Sequence, residues 1–147
     1  MTKTIKVRNV VIGGGAPIVI QSMNNIPTGS KAELLQQISA LAAAGCEITR
    51  IAIPDIAAAE AMHDIVVQSP IPVVADIHFD WKLAIAAIAA GADAVRINPG
   101  NIGSEDRVRA VAEAAGNAGI PIRVGVNAGS IAKKMRSNMV AIFSSLK

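Results

Sequence analysis

The chain has 147 residues, of which 52% are hydrophobic, 17% charged and 2% aromatic. That length suits one domain with one core. The composition excludes a disordered chain, and so few rings exclude a stacking platform for single-stranded nucleic acid. The net charge is +3, but Lys133, Lys134, Arg136 and Lys147 all lie near the end. Residues 1–130 hold ten basic and eleven acidic groups, so no basic nucleic-acid footprint covers the domain. Alanine occurs at about 27 positions, which predicts small side chains packed where helices lie on a sheet.

Cys46 is the single cysteine. It allows no intrachain disulfide and no cysteine-built metal site, and a reducing compartment is expected. Residues 1–8 lack the apolar core of a signal peptide. No apolar run approaches the roughly 18 residues that cross a bilayer. A soluble, cytoplasmic protein without a membrane partner is the expectation.

Elements alternate in a regular beat. Residues 4–12 read as two short strands, and Gly13, Gly14 and Gly15 as a turn. Residues 17–23 (PIVIQSM) predict a buried strand. Ser30 opens a helix over 31–44, with Leu34, Leu35, Ile38 and Leu41 on one face, and Gly45 stops it. Residues 47–53 (EITRIAI) predict a strand, and Pro54 with Asp55 opens a helix to about Gln68. Residues 73–77 form the next strand, and Asp80 caps a helix running to Ala90, before Gly91. Residues 94–98 form a strand, and Ser104 opens a helix to about Asn117. Residues 121–127 form the fifth long strand, and Ser130 begins a last helix-like stretch.

Nearly continuous apolar strands mark a parallel sheet covered on both faces, and strand–helix alternation gives an α/β fold. An open doubly wound sheet carries a Gly-rich turn after its first strand. Here that turn is 24–29, without G-x-G-x-x-G. A barrel is the better reading. One unit takes roughly 26 residues, and eight units need ~200–250. The expected fold is therefore α/β, a partial TIM (β/α)8 barrel of about five βα units after an N-terminal β-hairpin. A complete small five-stranded domain is the alternative.

Three arginines lie inside strands: Arg50 in ITRIAI, Arg96 in AVRINP and Arg123 in PIRVGVN. They fall five, five and four residues after Gly45, Gly91 and Gly119, which predicts similar heights on parallel strands. A cation in an apolar strand is costly unless paired. An anion reached by all three would compensate, and guanidinium forks match phosphate oxygens. Internal pairing with Asp76, Asp80, Glu47 or Asp93 is the structural alternative.

Asp76, His78 and Asp80 (ADIHFD) lie at the carboxyl end of a strand, the face where barrel active sites sit. A carboxylate beside an imidazole suits proton transfer or metal binding. Alternatively Asp80 is a helix cap and His78 a loop hydrogen-bonder. Asn98 and Asn101 in NPGNIG, and Asn127 in GVNAGS, sit on loops that follow arginine-bearing strands. Such loops let backbone approach a ligand, or are ordinary turns. Gln21, Ser22 and Met23 end the first long strand at the same rim. Cys46 reads as a small buried hydrophobe and His63 as an exposed helix residue.

The segments PIVIQSMNN, AAGCEITRIAIPD, IPVVADIHFD, VRINPGNIG and IPIRVGVNAGS stand in the order found in 4-hydroxy-3-methylbut-2-enyl diphosphate synthase. Residues 3–130 resemble that family. The resemblance implies reductive opening of 2-C-methyl-D-erythritol 2,4-cyclodiphosphate and loss of a hydroxyl, giving 4-hydroxy-3-methylbut-2-enyl diphosphate for isoprenoid synthesis. It implies electrons from ferredoxin or flavodoxin through a 4Fe–4S cluster, held by three Cys and one Glu of a separate C-terminal domain. It also implies a homodimer. Carried over by motif, Arg50, Arg96 and Arg123 would bind the diphosphate. Asn98, Asn101 and Asn127 would line the substrate, with Asp76 and His78 near it; Gln21 joins them from its place at the rim.

The departures are as specific. The sequence offers no cluster ligands and no later-strand lysine of the family, and residues 131–147 read as a divergent basic tail. The expectation is the N-terminal part of the substrate-binding barrel, without the iron–sulfur domain. Such a chain would be inactive by itself and prone to self-association through exposed strand edges. Two other readings compete: a non-catalytic binder of phosphate ligands, and a pteroate-synthase-like barrel transferase, for which no pterin motif is visible.

Overall fold

The computed structural model describes residues 2–126. A hairpin of β1 (Ile5–Val7) and β2 (Val10–Ile12) comes first. Then follow β3 (Gln21–Met23), α1 (Lys31–Ala43), β4 (Ile48–Ala52), α2 (Ile56–Gln68), β5 (Val73–Ile77) and α3 (Trp81–Ala89). The remaining elements are β6 (Ala94–Ile97), a short α4 (Pro99–Ile102), α5 (Glu105–Ala118) and β7 (Ile122–Val124).

The five later strands pair in parallel in the order β3-β4-β5-β6-β7, which is chain order. A doubly wound sheet reverses its strand order at a switch point. This one never does, so it is the arc of a partial TIM barrel. The helices cover one face. Ile51, Ile53, Val73, Ala75, Ile77, Val95 and Ile97 point outward and pack with Leu34, Ile38, Met62, Ile65, Ala84, Ala87 and Val111. Alanines on α2 and α3 let these helices lie close to the strands.

The opposite, inner face is different in kind. Ile48, Val74 and Ala94 form its lower level, and Val7 of the hairpin packs on them. Beside them a cavity of about 610 Å³ separates the hairpin from the sheet. The hairpin is fixed by Arg8 at its tip, whose Nε and Nη2 donate to Asp93 at 2.9 and 2.8 Å. The same guanidinium donates to the carbonyls of Ser69 and Val66. Arg8 holds φ +52, a conformation unusual for a side chain of its size; these four bonds offset its cost. Asp93 also accepts the backbone N–H of Val73.

Three expectations change. Only the last three residues of 17–23 are strand, and Ile18 is 95% exposed. Among the described residues β3 pairs only with β4, so it is an edge and is not buried. Val124 and Val126 are exposed at the other edge. Residues 98–103 are not a simple turn, because Pro99 starts α4 and Asn98 caps it. The strand over 121–127 shortens to β7, and its last residue, with the stretch from Ser130 and the basic tail, lies outside the described residues. No helix among the described residues is long and apolar enough to cross a membrane.

Candidate functional site

Two residues beyond the apolar level, the same strands carry charge. Ile48 is followed on the inner face by Arg50, Val74 by Asp76 and Ala94 by Arg96. Residues of one face alternate along a strand, so these side chains rise from the inner wall at its carboxyl end. Register places Arg96 between Asp76 and Arg123, while Arg50 lies opposite Val74. Arg96 and Arg123 thus share a level, and Arg50 starts one inward step lower than expected.

Asp76 is the hub. Its side chain is 2% exposed and is shared by three neighbours. Arg96 Nη1 donates to Oδ1 at 3.2 Å, and Arg50 Nε lies 3.3 Å from Oδ2 in an ion pair. His78 Nε2 stands 3.4 Å from that same oxygen. Internal pairing, the alternative raised by the sequence, is therefore real but incomplete. One buried carboxylate serves two guanidiniums. The third, Arg123, meets no carboxylate among the described residues: its Nη1 donates to Gln21 Oε1 at 2.7 Å, reaching from β7 to β3. Arg50 Nη2 also contacts Met23 Sδ at 3.2 Å.

Among the described residues, three guanidiniums against one carboxylate leave a formal excess of +2 on this wall. Each guanidinium has five N–H donors, and the bonds above engage only a few. Arg50 and Arg96 are partly buried, whereas Arg123 is exposed, so water screens part of this excess. The arrangement can bind a planar or tetrahedral oxyanion of charge −2 or more, and the fork geometry favours phosphate oxygens.

The other candidates divide. Asn98 is buried and its Oδ1 accepts the N–H of Gly100 at 3.1 Å, capping α4. Asn101 is half-buried in α4, and its N–H donates to Asn98 O. Asn127 lies outside the described residues. The strand ends at Ile77, so Asp80 does not join Asp76 and His78; it caps α3 by accepting the N–H of Lys82. Glu47 accepts the N–H of Ile20, and Asp93 serves Arg8; neither reaches the arginines of the inner wall. Cys46 is buried below β4, its thiol directed at the carbonyl of Ile48. His63 is exposed on α2.

Sequence reasoning missed Gly125. A Cβ there would meet Nε and Nη2 of Arg96 at 2.6 Å each. The GVN string held the residue but not its neighbour, which comes from the preceding strand, β6.

A model of the GcpE TIM-barrel domain family matches residues 2–145. The 4-hydroxy-3-methylbut-2-en-1-yl diphosphate synthase (flavodoxin) of Geobacter sulfurreducens is 55% identical over 134 residues, covering 91% of this chain and 38% of that protein. The protein of the same name from Caldicellulosiruptor saccharolyticus is 52% identical over 135 residues, covering 92% of this chain and 39% of its own length. The chain therefore spans under two-fifths of the length of these relatives. Among solved structures, dihydropteroate synthase from Yersinia pestis superposes with a TM-score of 0.64 over 97% of this chain and 54% of that one, at 12% identity. So low an identity carries the fold alone.

Proposed function

Because the chain belongs to the GcpE TIM-barrel family, we propose that its inner wall binds 2-C-methyl-D-erythritol 2,4-cyclodiphosphate. Arg50, Arg96 and Arg123 hold the diphosphate. Gln21 positions Arg123, and Asn98, Asn101 and Asn127 border the ligand. The observation that supports this reading is the under-compensated trio: among the described residues, three guanidiniums on one wall and a single buried carboxylate between two of them. A purely structural charged layer would be balanced. This one keeps an excess of positive charge at the end of the strands where barrels act.

The wider reading places this wall in reductive ring opening and dehydroxylation of that substrate, in isoprenoid precursor synthesis. The relatives' names specify flavodoxin, and this reading gives a full-length protein the same electron donor. The resemblance also implies a 4Fe–4S cluster and a homodimer. A cluster bound by three cysteines does not fit the residues of this chain. Its one cysteine, Cys46, is buried at the amino end of β4, away from the arginines. Binding and orientation are therefore what these residues supply. Arg50 and Arg96, held from one side by Asp76, keep their remaining donors turned to the ligand. His78, beside the Asp76 carboxylate and half exposed, is the residue placed to hold or pass a proton at its Nε2.

Titration calorimetry of the 147-residue chain tests the binding step. Inorganic pyrophosphate should bind, and the cyclic diphosphate should bind more tightly. Arg96→Ala and Arg50→Ala should each weaken binding by about tenfold or more, the effect of a lost charge-assisted bond. No binding, or unchanged affinity in both variants, would overturn the assignment. The dihydropteroate synthase likeness gives no second reading, because no residue of this wall points to a pterin.

A further inference from the structure

We propose that Gly125 is a positioning residue for Arg96, an inference that rests on the inner wall being the anion site. Most glycines at the ends of elements here have a conformational reason. Gly45, Gly91 and Gly119 lie at positive φ, and a Cβ on any of them would meet nothing within 4 Å. Gly125 is the reverse case. Its φ lies outside the left-handed region, so any residue could adopt its backbone. What it lacks is room, since Nε and Nη2 of Arg96 occupy the space a Cβ would need.

The backbone is tied at this point. The N–H of Gly125 donates to Ile97 O at 2.9 Å, tying it to the strand that carries Arg96. The guanidinium is held on its other side by Asp76, through Nη1 at 3.2 Å. Arg96 is thus clasped between a carboxylate and a missing side chain. Of the two, the flexible guanidinium is the part that yields. A methyl group at 125 would push it off Asp76 and turn its fork away from the ligand, with little disturbance of the fold.

The test is pyrophosphate binding to the full chain in four forms: wild type, Gly125→Ala, Arg96→Ala and the double variant, with thermal melts of each. Gly125→Ala should weaken binding by about tenfold with a melting temperature close to wild type. In the Arg96→Ala background the same change should cost no further affinity, because the residue acts through Arg96. Wild-type affinity in Gly125→Ala, or equal losses in both backgrounds, would overturn the proposal. If Gly125→Ala unfolds, the double variant decides: a restored melt supports the clash with Arg96, and an unfolded double variant refutes it. Failure of the binding site itself looks different, since Arg96→Ala would then leave pyrophosphate affinity unchanged.

Discussion

The lower and upper levels of the inner wall differ by two residues along the same three strands. Below stand Ile48, Val74 and Ala94, covered by Val7 of the hairpin. Two residues further along each strand stand Arg50, Asp76 and Arg96, with Arg123 beside Arg96 and Arg50 set one step lower, opposite Val74. Backbone, pairing and face are shared, so the contrast comes from side chains alone. The lower level is a stabilising layer, with apolar groups removed from water at roughly 25 cal/mol per Å². The upper level works against stability, because two partly buried guanidiniums share one counter-ion. Placing charge where methyl groups would pack better makes sense where the charge has a guest.

The largest effect should come from breaking the lower level. Ile48 is 2% exposed, and Ile48→Ala opens a cavity under the hairpin. We expect a loss of about 3 kcal/mol in a denaturant titration. Pyrophosphate affinity of the folded fraction should stay as in wild type. A large change in affinity would mean that the two levels are not separable.

Asp76→Asn breaks the upper level instead. It keeps the shape and removes the carboxylate that Arg50 and Arg96 share. Fully buried pairs lose more on such a change. The arginine side chains here are 25% and 16% exposed, so water offsets part of the cost and about 2 kcal/mol is expected. The distinguishing outcome is rescue. Saturating pyrophosphate should shrink the deficit of Asp76→Asn relative to wild type, since the anion takes over the role of the carboxylate, and should do nothing for Ile48→Ala. An equal deficit with and without pyrophosphate would show that Asp76 is not a counter-ion.

The lower level was easier to read from sequence than the upper one. The run 73–77, bounded by Pro72 and His78, is apolar except for Asp76 and matches β5 residue for residue. Asp55 and Asp80 announce α2 and α3, and both accept N–H bonds as caps. The glycine-to-arginine spacing put Arg50, Arg96 and Arg123 at similar heights; the pairing bears this out for Arg96 and Arg123 and sets Arg50 one step lower, opposite Val74. The sharing of Asp76 was beyond spacing, because it depends on inter-strand register. The clearance of Arg96 over Gly125 and the clasp of Arg8 on Asp93, 85 residues away, depend on the folded chain in the same way. The strand over 17–23 was overextended, since an apolar run cannot reveal that it ends up at an edge. Residues 98–103 were rich in turn residues, and α4 was hidden by them.

The smallest effect concerns a pair that resembles the upper level in chemistry but not in setting. Lys31 of α1 donates to the carboxylate of Asp64 on α2, and both side chains are largely in water. This bond and the charge of Lys31 hold the Asp64 carboxyl below its ordinary range. A carboxyl depressed in the folded state stabilises it above the unfolded pKa, and the contribution fades as pH falls through the folded value. The gain is therefore complete above about pH 5 and is lost in the acid range. Lys31→Ala should return the Asp64 titration upward to the ordinary carboxylate range, followed by carboxyl-carbon NMR. High salt should do much the same to the wild type, since a solvated pair is screened. The melting temperature at neutral pH should barely move. If Lys31→Ala left the Asp64 midpoint in place, the bond across α1 and α2 would not be the cause of the depression. If salt also abolished the rescue of Asp76→Asn by pyrophosphate to the same degree, the upper level would be no better shielded than this surface pair, and the contrast between wall and surface would be lost.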